Sequence, residues 1–133
     1  MASDNPVRVL LIEDDAADTK AAITVFNTLG LEVQSKLTVS AARNYLDDVV
    51  AGLHPPPHLV VLDLGFRLES GFEIIRYWKS TPALQAIHII VWTQAGQQDK
   101  KIAGYFGVAA VVTKSNGLKE LESELKRVIA GLG

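Results

Sequence analysis

The chain has 133 residues, 48% of them hydrophobic, which fills one core but not two ordinary ones. Thirteen Lys and Arg against fifteen Asp and Glu leave a formal charge of −2, so there is no global positive field to hold a nucleic-acid backbone. The absence of cysteine excludes disulfides, thiolate nucleophiles and cysteine-ligated metals, His54, His58 and His88 lack metal-protease spacing, and no apolar run approaches a membrane span, so a soluble cytoplasmic protein with no nucleic-acid or membrane partner is expected.

Val7 to Ile12 reads as a strand buried on both faces, and it stops at three carboxylates, Glu13-Asp14-Asp15. From Asp18 to Leu29, Ala22, Val25, Phe26 and Leu29 recur at helical spacing, with Gly30 as the stop. Glu32 to Leu37 is a short, partly polar strand. Val39, Ala42, Leu46, Val49 and Val50 then form the stripe of a second helix, capped by Thr38 or Ser40. Pro55, Pro56 and Pro57 enforce an extended connection into the strand Leu59 to Leu62, which ends at Asp63. A loop with Gly65 and Gly71 leads to a third helix carrying Phe72, Ile75 and Trp78, ended by Pro82.

Ile87 to Trp92 forms a fourth strand ending at Thr93. A helix with Ile102, Tyr105 and Phe106 follows and stops at Gly107. Val108 to Val112 is the fifth strand, and Leu118, Leu121, Leu125, Val128, Ile129 and Leu132 share one face of the last helix. Five β-then-α units joined by long crossovers demand a parallel sheet with helices on both faces. One domain is expected over residues 1–133, with a core from about residue 6 to about residue 131 and no repeat or linker.

Sites in such sheets lie beyond the carboxyl ends of the strands, where this chain places Glu13, Asp14, Asp63, Thr93 and Lys114. Three close carboxylates repel unless a cation joins them, and an all-oxygen donor set suits a hard ion such as Mg2+. That ion would neutralise oxygens of an incoming phosphoryl group, with Thr93 donating its hydroxyl and Lys114 a fixed positive charge, leaving Asp63 as a carboxylate nucleophile. Singly, each residue has a plainer reading: Glu13 and Asp14 as helix caps, Asp63 and Thr93 as strand-end residues, Lys114 as a solvated charge. The combination is far more specific than any member.

Together, Val-Leu-Leu-Ile-Glu13-Asp14-Asp15, Leu-Val-Val-Leu-Asp63-Leu, Gly71 eight positions after that aspartate, Val-Trp-Thr93 thirty after it, and Val-Thr-Lys114 resemble the receiver domains of bacterial response regulators over essentially the whole chain. The resemblance implies a flavodoxin-like, doubly wound (βα)5 α/β fold with strand order 2-1-3-4-5. It implies that Asp63 accepts a phosphoryl group from a histidine kinase or histidine phosphotransfer protein. It further implies that Glu13, Asp14, Asp63 and the main-chain carbonyl of Gly65 hold Mg2+, that Thr93 follows the phosphoryl group and that Lys114 pairs with its oxygens. The Glu13-Asp14-Asp15-x-x-Asp18 opening and the Trp78 to Pro82 stretch are similar to stand-alone receivers of the phytochrome-associated type.

Four positions depart from the family pattern: Arg67 and Ser115 stand where proline is usual, Gln94 replaces a small residue, and Val111 an aromatic one. A β-branched Val cannot make the aromatic rotamer switch that usually carries the signal. Arg67 would screen the site or contact the donor. The leading expectation is a single-domain phosphoacceptor in two-component or phosphorelay signalling that slowly loses its own phosphoryl group and turns over no other substrate. With no residues left for an output domain, it would signal to a downstream protein or to a second copy through the face of helix four, strand five and helix five. The alternative is a degenerate receiver acting as a phosphorylation-independent interaction module, favoured by those four departures. A flavodoxin-like cofactor binder ranks below both, because the acidic loop after strand one repels an anionic ligand.

Overall fold

The computed structural model describes residues 6–65, 70–94 and 96–132. Five strands, β1 (Arg8–Ile12), β2 (Glu32–Lys36), β3 (Leu59–Leu62), β4 (His88–Thr93) and β5 (Ala110–Thr113), alternate with five helices, α1 (Ala16–Thr28), α2 (Val39–Val50), α3 (Phe72–Ser80), α4 (Gln97–Tyr105) and α5 (Leu118–Ala130). All strand pairs are parallel, and the order across the sheet is β2-β1-β3-β4-β5, as the resemblance implies.

Alternation along the strands builds two cores. Leu10, Ile12, Val60, Leu62, Ile89 and Val91 face α2, α3 and α4. Val9, Leu11, Leu59, Val61, Ile90, Trp92 and Val112 face α1 and α5. Successive side chains of a strand point to opposite faces, so the central strands must be apolar throughout.

Element ends differ from the sequence reading by one to three residues, and side-chain capping explains the clearest cases. Asp15 accepts from the Ala17 N–H and starts α1 at Ala16, two residues early. Thr38, rather than Ser40, caps α2 by accepting from the Ala41 N–H at 3.0 Å. Gly30 ends α1 in the left-handed conformation at φ 72°, with its N–H on the Asn27 carbonyl. β4 takes in Thr93 and leaves out Ile87, while β5 runs from Ala110 to Thr113 rather than from Val108. Val50 and Leu118, expected on buried stripes, are exposed. Among the described residues no helix is long and apolar enough to cross a membrane.

Candidate functional site

The parallel register brings the ends of β1, β3 and β4 level: Ile12 lies beside Leu62, and Leu62 beside Val91. The ladder continues one residue further, because Asp63 N donates to Ile12 O and Glu13 N donates to Lys36 O, both at 3.1 Å. Glu13 and Asp63 are thus held by sheet hydrogen bonds although they follow the strands proper. Among the described residues, the buried polar or charged side chains are Glu13, Asp63 and Thr93. Burying such groups is costly unless they are partnered, so three of them at one sheet edge mark this edge as built for polar chemistry.

Their partners come from each other. Asp63 Oδ1 accepts from the Thr93 hydroxyl at 2.7 Å and from the Gly65 N–H at 3.0 Å, and Oδ2 accepts from Lys114 Nζ at 3.1 Å. Lys114, which immediately follows β5, also donates to Glu13 Oε1 at 2.6 Å and to Asp18 Oδ2 at 2.7 Å. Its ammonium lies 5.0 Å from the centroid of the buried Trp92 ring, whose face attracts a cation. Glu13 Oε2 accepts from the Asp15 N–H, so both oxygens of Glu13 are engaged.

These contacts set the charges. Burial raises the Glu13 carboxyl to about 7, with the neighbouring Asp63 charge adding to the rise and Lys114 opposing it. Burial also pushes the Asp63 carboxyl up, but the Thr93 hydroxyl, the Gly65 N–H and the Lys114 ammonium outweigh it, and Asp63 is held below the usual carboxylate range. Asp63 is therefore ionised at neutral pH. Burial opposes the Lys114 charge, yet its bonds to Asp18 and Glu13 and the Asp63 charge raise its pKa, so it stays an ammonium.

Glu13, Asp14 and Asp63 each bring one carboxylate oxygen within 4.8 Å of the others. Asp14 is exposed and lines a cleft of about 440 Å3 together with Asp15, Ala16, Asp18, Asp63, Gly65 and Lys114. An all-oxygen donor set, with carboxylates outnumbering the single ammonium, fits a hard divalent cation entering from solvent. The start of α3 also lies against this site. A Cβ on Gly71 would come within 2.9 Å of Leu64 Cα and collide with the Asp63 carbonyl oxygen, so only glycine lets the start of α3 lie against the Asp63-Leu64 backbone.

Two of the four departures pair with each other, since Gln94 Oε1 accepts from the Ser115 N–H at 3.1 Å and ties the end of β4 to the turn after β5. Val111 is half-buried against the core beneath α4. Lys100 of α4 donates to Thr113 Oγ1 at 2.9 Å. Arg67 lies outside the described residues. The sequence reading passed over Asp18 as a partner of Lys114; its only signal was its place one turn into α1, on the side of the acidic loop.

No family model matches the chain. Among curated proteins, response regulator Rcp1 of Synechocystis sp. is 31% identical over 123 residues, covering 90% of this chain and 84% of that protein. The phosphate regulon transcriptional regulatory protein PhoB of Escherichia coli is 25% identical over 92% of this chain, which spans 51% of PhoB's length. Among solved structures, the Mn2+-bound form of Rcp1 superposes with a TM-score of 0.77 at 29% identity, covering 92% of this chain and 89% of that one. The phosphorylated cyanobacterial phytochrome response regulator RcpA gives 0.77 at 26% identity, covering 93% and 91%. Fold, strand-end residues and relatives agree: the chain belongs to the response-regulator receiver family of two-component signalling, and is similar to the phytochrome response regulators Rcp1 and RcpA.

Proposed function

We propose that this receiver accepts a phosphoryl group on Asp63 from a phosphohistidine of a histidine kinase or phosphotransfer protein. One observation carries the reading: a buried carboxylate is kept ionised by donors from three separate strand ends, with one face open to an acidic cleft. An Asp63 oxygen attacks phosphorus, the P–N bond breaks with its electron pair passing to the imidazole, and an acyl phosphate results. Glu13, Asp14, Asp63 and the Gly65 carbonyl would hold Mg2+, which when bound neutralises charge on the phosphoryl oxygens. Lys114 supplies a fixed positive charge to those oxygens, and the Thr93 hydroxyl, freed from Asp63, donates to one of them.

Output runs through protein contacts on the face of α4, β5 and α5, where Ile102, Tyr105 and Leu118 are exposed. With Val111 unable to switch rotamer, the Gln94 to Ser115 bond would carry a displacement of Thr93 toward the start of α5. Incubation with Mg2+ and acetyl phosphate is expected to add one phosphoryl mass to the native chain and none to Asp63→Asn. An unmodified native chain would leave the degenerate interaction module as the better reading.

A further inference from the structure

An ammonium has three N–H donors and no more, and those of Lys114 are all committed: to Glu13 at 2.6 Å, Asp18 at 2.7 Å and Asp63 at 3.1 Å. To donate to a phosphoryl oxygen, Lys114 must release one of them. Glu13 is fully buried on a sheet-bonded backbone and holds a second bond to the Asp15 N–H, so its carboxylate cannot swing out of the site. Asp63 is the proposed acceptor and stays in the site. Asp18 differs from both, because its side chain is 35% exposed on the first turn of α1 and can turn out to water. Asp18 lines the same acidic cleft as Lys114 and Asp63.

We propose that Asp18 is a positioning residue that holds Lys114 in the unphosphorylated protein and competes with the phosphoryl group for its ammonium. The proposal rests on phosphoryl acceptance at Asp63. Asp18 occupies one donor of Lys114 until phosphorus arrives, then yields it to a phosphoryl oxygen. The competition keeps the resting site closed to adventitious anions and slows acceptance from small donors. In the step affected, an Asp63 oxygen attacks the phosphorus of acetyl phosphate, and the P–O bond to the acetyl group breaks with its electron pair leaving on acetate.

A partly exposed ion pair is worth roughly 1 kcal/mol, so removing the Asp18 charge should speed acceptance about fivefold. The test follows phosphoryl gain by intact mass with Mg2+ and acetyl phosphate over a range of donor concentrations. Asp18→Asn is expected to raise the rate about fivefold, while Asp18→Glu, which keeps the charge, stays near the native rate. Asp15→Asn removes a carboxylate from the same cleft without touching Lys114, and an amide oxygen can still accept from the Ala17 N–H. A smaller rise in Asp15→Asn than in Asp18→Asn supports competition at Lys114. Equal rises in the two would reduce the effect to general repulsion and overturn the proposal, as would an Asp18→Asn rate at or below native. A native chain that takes up no phosphoryl group overturns the acceptor reading itself, and this inference with it.

Discussion

At the scale of single residues, Glu13 carries a stability effect whose sign is fixed by burial. Its folded value of about 7 lies above the ordinary 4.5, so between these two pH values the native state binds a proton that the unfolded chain has lost. Stability therefore falls as pH rises through this window, and the loss is complete above about 7. Asp63 acts in the opposite sense: its folded value lies below the ordinary 3.8, so its contribution is present above that value and lost as pH falls through the folded one. The two windows do not overlap. Urea unfolding followed between pH 4.5 and 8 should show a declining midpoint in the native protein and a flatter profile in Glu13→Gln, whose side chain does not titrate. A decline of equal slope in both proteins would place its origin elsewhere.

At the scale of elements, the contact between α3 and the Asp63-Leu64 backbone makes a sharper demand than any helix propensity. Gly71→Ala adds one methyl where the Asp63 carbonyl and Leu64 Cα already stand, and the backbone must move. Overpacking of this kind costs about 1–3 kcal/mol, and here it also shifts the atoms beside Asp63. We expect a lower urea midpoint together with slower phosphoryl gain, whereas Gly104→Ala, on an open surface of α4, should slow nothing. The strands were readable because β1, β3 and β4 are apolar on both faces and each halts at a polar residue, which is also what exposed Glu13, Asp63 and Thr93 as strand-end chemistry. In α4 the two aromatics part company: Phe106, just beyond the helix end, packs partly against the core near the buried Ala103, while Tyr105 is 80% exposed. Asp18 and the pairing of Gln94 with Ser115 were invisible for a different reason. They depend on side chains meeting across α1, β4 and the turn after β5, and periodicity within one element carries no information about that.

At the scale of the molecule, a net charge of −2 conceals a strong local imbalance. Asp14, Asp15, Asp18 and Asp63 line one cleft with Lys114, and Glu13 is buried beside it on the same ammonium. Charge concentrated in this way favours a divalent cation and resists anions until that cation is present, which fits the phosphoryl acceptance proposed for Asp63. The family relationship makes the chain a receiver, and because it spans about half of PhoB, the transcriptional activity of that longer protein is not carried across with the fold. The proposed chemistry requires phosphorus to be attached to Asp63. Borohydride reduces an acyl phosphate of aspartate to homoserine, so the chain loaded with acetyl phosphate and Mg2+, then reduced and digested, reports the acceptor directly by peptide mass. Homoserine at position 63 is the predicted result; homoserine at position 14, 15 or 18 instead, or at no position, would contradict it.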